Sequence, residues 1–417
     1  MAYKLLNGGV HVGRAFANTM ATYRLTILPG DGTGPEVIKE AEKLLDCIEN
    51  YSDLKFEKTT IPCGGQYWLK TGDEWPEGSF EHCRDNSDAI LLGAIGWPGA
   101  NLPNGDLAGG QVILGLRSGL NLYANVRPIK LYSGVKHKIH NEFTQVWDPA
   151  KVDILVLREN TEGLYHSLLR RSALRAQGQE MKEIEDMTFD GIDGEVAWDN
   201  RPISRAGSEK LIRLGFEYSR RRNGAPSNGE SSVTCVDKSN VTRGCQLFRK
   251  IFHEIGDEYP DINRDEAYID AFTMWMVRNP EWYDVVVTSN MFGDILTDLG
   301  SVLQGGMGMA ASANIGDNHG LFEPVHGSSP KHAGKGEVNP IATLNSVQMM
   351  IEWLGLRNDD EEAILVSRII EEAISQHIEE GSCLTYDLGG NSSTSEVGSA
   401  ITERLGSLLQ SASIQPS

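Results

Sequence analysis

The chain has 417 residues, 40% of them hydrophobic, which is enough for a sizeable core and for two domains or one large sheet. Its formal net charge of -20 repels polyanions, which argues against nucleic acid and anionic membrane as partners, so that an anionic substrate needs a local basic pocket. The six cysteines are scattered without a C-x-x-C pair and no apolar run reaches membrane-spanning length, which points to a reducing, cytoplasmic setting with no disulfide framework or zinc site.

Residues 1–22 carry Lys4 and Arg14 but no acid. They are read as an N-terminal extension, disordered or preceding a true start at Met20, rather than as a targeting leader. Short β-branched runs at 23–29, 89–93, 152–157, 233–236 and 285–288 end in Gly, Asp or Asn and lead into helical patterns. That alternation predicts an α/β fold, a large and mostly parallel sheet with helices on both faces, whose ligands bind beyond the carboxyl ends of the strands.

The first strand ends in Gly30, Gly32 and Gly34, but Pro35 stands where the dinucleotide fingerprint needs glycine. The turn is therefore not a Rossmann site. Pro35 followed by Glu36 is good chemistry for starting a helix. Arg117 and Arg127 lie amid apolar residues in the segment from Ile113 to Pro128, and Arg158 ends a separate strand. Three convergent guanidinium forks would hold a small dicarboxylate; singly, each is as well explained by pairing with a native Asp or Glu. The acidic stretch 177–200 reads as an excursion from the sheet.

In DVVVTSNMFGDILTD, a buried strand turns into a helix that carries Asp294 and Asp298 one turn apart. Their mutual repulsion makes them either ligands for a hard cation such as Mg²⁺ or Mn²⁺, or two solvated aspartates on an exposed face. From Gly305 the chain is rich in Gly and Ala. The run from Glu323 to Pro340 then offers a loop whose glycines and serines could approach phosphate, with His326 and Asn339 placed to bond an adenine, or else an ordinary surface loop. After it, 341–355 and 361–378 carry apolar residues at helical spacing.

Taken together and in order, GDGTGPE, LR with YANVRP, RENTEGLY, VDKSNV, YIDA, TSNMFGDILTD and EPVHGSSPKHAGKGEVNP resemble the β-decarboxylating dehydrogenases, the family of isocitrate, 3-isopropylmalate, homoisocitrate, tartrate and D-malate dehydrogenases. The resemblance runs from about Tyr23 to Ile401. It implies a non-Rossmann fold: a large cofactor-binding domain from 23–122 and 305–417, and an inserted smaller dimerisation and catalytic domain at 123–304 with an arm near 177–200. It implies that Arg117, Arg127 and Arg158 grip the malate moiety with Asn240 nearby, and that Asp270, Asp294 and Asp298 hold Mg²⁺ or Mn²⁺. Lys238 and Tyr165 match the family's acid/base pair. Because the lysine and one aspartate come from the neighbouring subunit in this family, a homodimer with shared active sites is implied.

The resemblance also bears on substrate and cofactor. Gln111 and Ile113 replace the Ser and Asn with which isocitrate enzymes read a third carboxylate, and Leu114 stands where homoisocitrate enzymes often place arginine. Ile113 and Leu114 form an apolar wall as in 3-isopropylmalate enzymes, which makes 3-isopropylmalate the best-fitting substrate. Gly110 or Gln111 in place of that subfamily's glutamate, and RENTEGLY in place of RELTGGIY, keep tartrate and D-malate in view, with isocitrate and homoisocitrate after them. A catalytically silent regulatory paralogue is the non-enzyme alternative. For the cofactor, the resemblance implies a site built from Glu323, His326, Gly327, Ser328 and Ser329, continued by Lys331, His332, Asn339 and Tyr386. Lys331, standing where NAD-dependent members carry aspartate, and Tyr386 within TYD favour NADP over NAD; Gly390, where the NADP pattern has arginine, does not.

Overall fold

The structure, a computed structural model, describes residues 22–103, 105–179 and 199–413. The expected extension at 1–22, apart from Thr22, and most of the arm at 177–200 lie outside them. The N-terminal segment contributes β1 (Thr22–Gly30), α1 (Gly34–Tyr51), β2 (Lys55–Thr60), α2 (Gly65–Thr71), α3 (Ser79–Asp85), β3 (Ala89–Ala94) and α4 (Gly110–Gly119). The middle contributes β4 (Ala124–Lys130), β5 (His137–Ile139), β6 (Glu142–Thr144), β7 (Asp153–Glu159), α5 (His166–Ala176), α6 (Arg205–Arg221), β8 (Ser232–Asp237) and α7 (Arg243–Gly256). It continues through β9 (Asn263–Tyr268), α8 (Ile269–Arg278), β10 (Val285–Thr288) and α9 (Asn290–Leu303). The C-terminal segment contributes β11 (Ala311–Ile315), β12 (Gly320–Pro324), α10 (Ile341–Asn358), α11 (Glu361–Glu380) and α12 (Thr394–Ser413).

All strands but β5 and β6 join one ten-stranded sheet in the order β2-β1-β3-β12-β11-β4-β7-β10-β8-β9. The pairings are parallel toward both edges and antiparallel only at the centre, between β12, β11, β4 and β7. The α/β expectation therefore holds, with an antiparallel seam that the near-continuous apolar runs did not announce. β11 and β12 lie in the Gly- and Ala-rich stretch after Gly305, where small residues fit a strand buried on both faces: every residue of both is buried. The seam matters for function because antiparallel strands bring a carboxyl end beside an amino end. Arg158 at the end of β7 stands in register with Asn125 near the start of β4.

Candidate active site

Each site residue owes its position to local sequence. Ser289 precedes α9 and Gly293 lies in its first turn, where a Cβ would stand 2.6 Å from Cβ and Cγ of Arg158. With only hydrogen there, α9 lies down on β7, and Asp294 meets the Arg158 guanidinium in a direct ion pair. Asn290 accepts from the other edge of that guanidinium, 3.1 Å from Nε and 2.7 Å from Nη2. Arg127 reaches the same helix: Nη1 donates to Thr297 Oγ1 at 2.6 Å, Nη2 lies 3.5 Å from Asp294 Oδ1, and Asp298 is 3.8 Å away. Its Nε donates to Asn125 at 2.6 Å. Arg117, from α4, pairs with Glu323 at 2.7 Å, and its buried Nε has no hydrogen-bond partner.

The two readings of the arginines thus merge, since the three converge and each also has a native carboxylate. Burial would raise the Asp294 carboxyl, but Arg158 and Arg127 outweigh it and hold it below the usual carboxylate range. Burial pushes Asp298 the other way, above that range, with Arg127 opposing. Asp298 keeps a largely exposed carboxylate on the same helical face, 60% accessible, so the donor set fits a hard oxygen-loving cation. Tyr165, in the turn before α5, donates to Asp294 at 3.1 Å, and its ring lies 5.6 Å from the Arg158 guanidinium. Burial and then Asp294 raise its hydroxyl above the ordinary phenol range, so it holds its proton.

Lys238 and Asp270 form a separate pair, 2.6 Å apart, at the ends of β8 and β9, and neither lines the cavity beside Arg117 and Arg127. Asn240 is exposed in the turn that follows Lys238. Asp270 is therefore not beside Asp294 and Asp298 within one chain. Among the described residues no three His, Cys, Asp or Glu side chains assemble into a metal-holding group.

A cavity of about 410 Å³ opens over Arg117 and Arg127. Ile113 and Leu114 line one side, and Glu323, His326 and Gly327 another, so the apolar wall and the start of the expected cofactor loop share one space. The rest of the loop is held by the first βα turn. The backbone N–H of Thr33 donates to Ser328 O at 2.9 Å, Gly32 (φ +59°) leaves room for that carbonyl where a Cβ would lie 2.1 Å away, and Glu36 accepts from the N–H groups of Gly334 and Gly336. Ser328 Oγ is itself committed to Gly96 O. Both polar ends of the Asn339 side chain are also engaged, Nδ2 with Asp387 at 3.1 Å and Oδ1 with the N–H of Ile341 at 3.0 Å. These bonds tie the loop to Asp387 and to the start of α10, and leave the second Oδ1 lone pair for the adenine contact expected from the sequence. His332 stacks on Tyr386 with ring centroids 5.6 Å apart and pairs with Glu337 at 2.8 Å, and Lys331 and Ser329 are exposed at the loop surface.

A profile described as isocitrate/isopropylmalate dehydrogenase matches residues 24–401. The chain belongs to the isocitrate/isopropylmalate dehydrogenase family. This dehydrogenase is 36% identical over 384 residues to the 3-isopropylmalate/3-methylmalate dehydrogenase of Methanocaldococcus jannaschii, covering 92% of this chain and 99% of that one. It is 37% identical over 385 residues to the homoisocitrate dehydrogenase of the same organism, covering 91% and 96%. The solved isocitrate dehydrogenase from Methylococcus capsulatus superimposes with a TM-score of 0.74 at 34% identity, covering 92% of this chain and 99% of that one. Relatives at equal distance carry different substrate names, so overall likeness does not choose the substrate and the walls of the pocket must. No helix among the described residues is long and apolar enough to cross a membrane.

Several members of the dehydrogenase site escaped the sequence reading. Asn290 and Asn125, which clamp the two central guanidinium groups, sit inside TSNMFGD and YANVRP, where short polar residues among buried neighbours were the available signal. Leu168, Ser172 and Arg175 of α5 also line the cavity, at a spacing that marks one helical face.

Proposed function

We propose that this dehydrogenase catalyses the metal-dependent oxidative decarboxylation of a 3-substituted (R)-malate, 3-isopropylmalate fitting best, with hydride transfer to a nicotinamide dinucleotide, NADP in preference to NAD. The observation that carries the proposal is the meeting, around one cavity, of Arg117 and Arg127 with the apolar pair Ile113 and Leu114 and the His326–Gly327 end of the loop, with Arg127 joined through Asp294 to Arg158.

In this reading Arg117, Arg127 and Arg158 bind the two malate carboxylates, and the unsatisfied Nε of Arg117 gains an acceptor. Asp294 and Asp298, with Asp270 of a second copy, are the residues that would hold Mg²⁺ or Mn²⁺. When bound, the cation supplies polarisation of the 2-hydroxyl oxygen and its adjacent carboxylate, and the nicotinamide supplies a hydride acceptor. Lys238 of the second copy takes the hydroxyl proton as C2 is oxidised. After CO₂ leaves, Tyr165 delivers a proton to the enolate carbon, a role suited to a phenol kept protonated beside Asp294. A shared site of this kind makes the protein a homodimer. Lys331 and Tyr386 support the NADP preference, as a cation and a hydroxyl suited to a 2'-phosphate with no carboxylate in Lys331's place to repel it.

The sheet order supports the two-domain division. Its five strands from β2 to β11 all come from 22–122 and 305–417, and its five from β4 to β9 all come from 123–304. The missing glutamate at 110 or 111 favours a second reading, tartrate or D-malate as substrate. The deciding assay measures reduction of NAD⁺ and NADP⁺ with 3-isopropylmalate, D-malate, tartrate, isocitrate and homoisocitrate, each with and without Mn²⁺. Metal-dependent NADPH formation is expected, fastest with 3-isopropylmalate; absence of any turnover would reject the reading.

A further inference from the structure

The apolar wall of Ile113 and Leu114 is only one side of an enclosure. Facing it is α5, whose residues 168, 172 and 175 fall on one helical face and all line the cavity. The two helices pack closely through Gly115, where a Cβ would meet Ser172 O and Ala176 Cβ at 3.1 Å each. Polar bonds fix α5 in place. Arg171 forks onto Asp106 at 3.1 and 3.2 Å, Arg175 pairs with Glu74 at 3.2 Å, and Gln111 Nε2 donates to Arg175 O at 3.2 Å. Arg175 Nε and Nη2 are nevertheless buried without a hydrogen-bond acceptor. The Ser172 hydroxyl is fully buried and has no hydrogen-bond partner. It lies beside the space above Gly110, 3.7 Å from where a Cβ there would stand, with Arg175 Nη2 3.8 Å and Leu114 Cδ1 3.9 Å from the same point.

We propose that α5 is the wall that determines specificity for the substrate's 3-substituent, Leu168 packing on its side and Ser172 bounding its far end; this rests on the decarboxylating-dehydrogenase reading above. The substituent it takes is a short branched alkyl group. Ile113, Leu114 and Leu168 give such a group apolar contact. A longer chain would run into the packed Ser172 side chain, and overfilling a well-packed wall is costly. The wall is a binding and positioning element and touches none of the reacting atoms.

The test compares kcat/KM for malates bearing 3-methyl, 3-isopropyl and 3-isobutyl groups in the unmodified enzyme, Leu168→Ala, Leu168→Met and Ser172→Ala, with thermal midpoints to confirm folding. Leu168→Ala is expected to lower the ratio of 3-isopropyl to 3-methyl activity by about 10-fold or more, the scale at which enzymes register lost hydrocarbon contact, and Leu168→Met to restore most of it. Ser172→Ala, which makes room at the far end, is expected to raise the ratio of 3-isobutyl to 3-methyl activity about 3-fold or more. Ratios unchanged in both alanine variants, with folding and 3-methyl turnover intact, would overturn this inference alone. Lack of turnover with every 3-alkylmalate in the unmodified enzyme would overturn the dehydrogenase reading and this inference with it.

Discussion

Arg158 is among the largest fully buried side chains of the protein, and its charge is sustained by Asp294 and Asn290 on α9. The pair makes stability depend on pH in a definite direction. Asp294 is held below its unfolded value, so its contribution is complete above that value, about 3.9, and is lost as pH falls through the lower folded value. Urea midpoints of the native chain are therefore expected to fall between about pH 5 and pH 2, and Asp294→Asn, which cannot titrate, to remove part of that slope. An identical slope in the variant would remove Asp294 from the account. Lys331 is exposed, and the proposed NADP preference gives it a test: Lys331→Asp is expected to move the ratio of NADP to NAD efficiency toward NAD by about 10-fold or more, a like charge now facing the 2'-phosphate. An unchanged ratio would show that the preference is set elsewhere.

At the level of elements, α9 is the part on which the site most depends, because it carries both aspartates and Asn290 while lying against β7. Gly293 permits that approach. Gly293→Ala forces its new methyl against Cβ and Cγ of Arg158, where backbone and guanidinium are both committed and neither can yield cheaply. A loss of about 1–3 kcal/mol in denaturant stability is expected, together with a fall in kcat/KM, because the helix must lift and separate Asp294 from Arg158. Stability and activity both unchanged would mean that the contact relaxes without moving the site. The same element explains a limit of the sequence reading. The repulsion between Asp294 and Asp298 was legible from their spacing, but arginines arriving from β4 and β7 share in its relief, and helical periodicity carries no record of what comes from another strand.

At the scale of the whole molecule, the separation of Lys238 and Asp270 from the cavity has a quantitative consequence. If two copies share each site, Lys238→Met and Tyr165→Phe homodimers should each lose about 100-fold or more in kcat, since each lacks one proton-transfer group at both sites. Unfolded and refolded together in equal amounts, they are expected to regain about one quarter of native activity: half the dimers are mixed, and half the sites in those carry both groups. Activity that stays at the level of the separate variants would reject sites shared between subunits.

Much was already written in the amino-acid order: the α/β class, the exclusion of a Rossmann turn by Pro35, the helices after Asn339, and the ordered motifs that bring Arg117, Arg127, Arg158, Asp294, Asp298 and Tyr165 into one family pattern. These are local or periodic properties, or matches of residue to residue, and they need no knowledge of what packs against them. Only the tertiary structure decided the antiparallel seam, the pairing of Arg117 with Glu323, the bracing roles of Ser328 and Asn339, and the presence of α5 across the cavity. Each of these joins residues far apart along the chain or on opposing elements, and which of several available partners a polar group takes is fixed by packing, after the fold has closed.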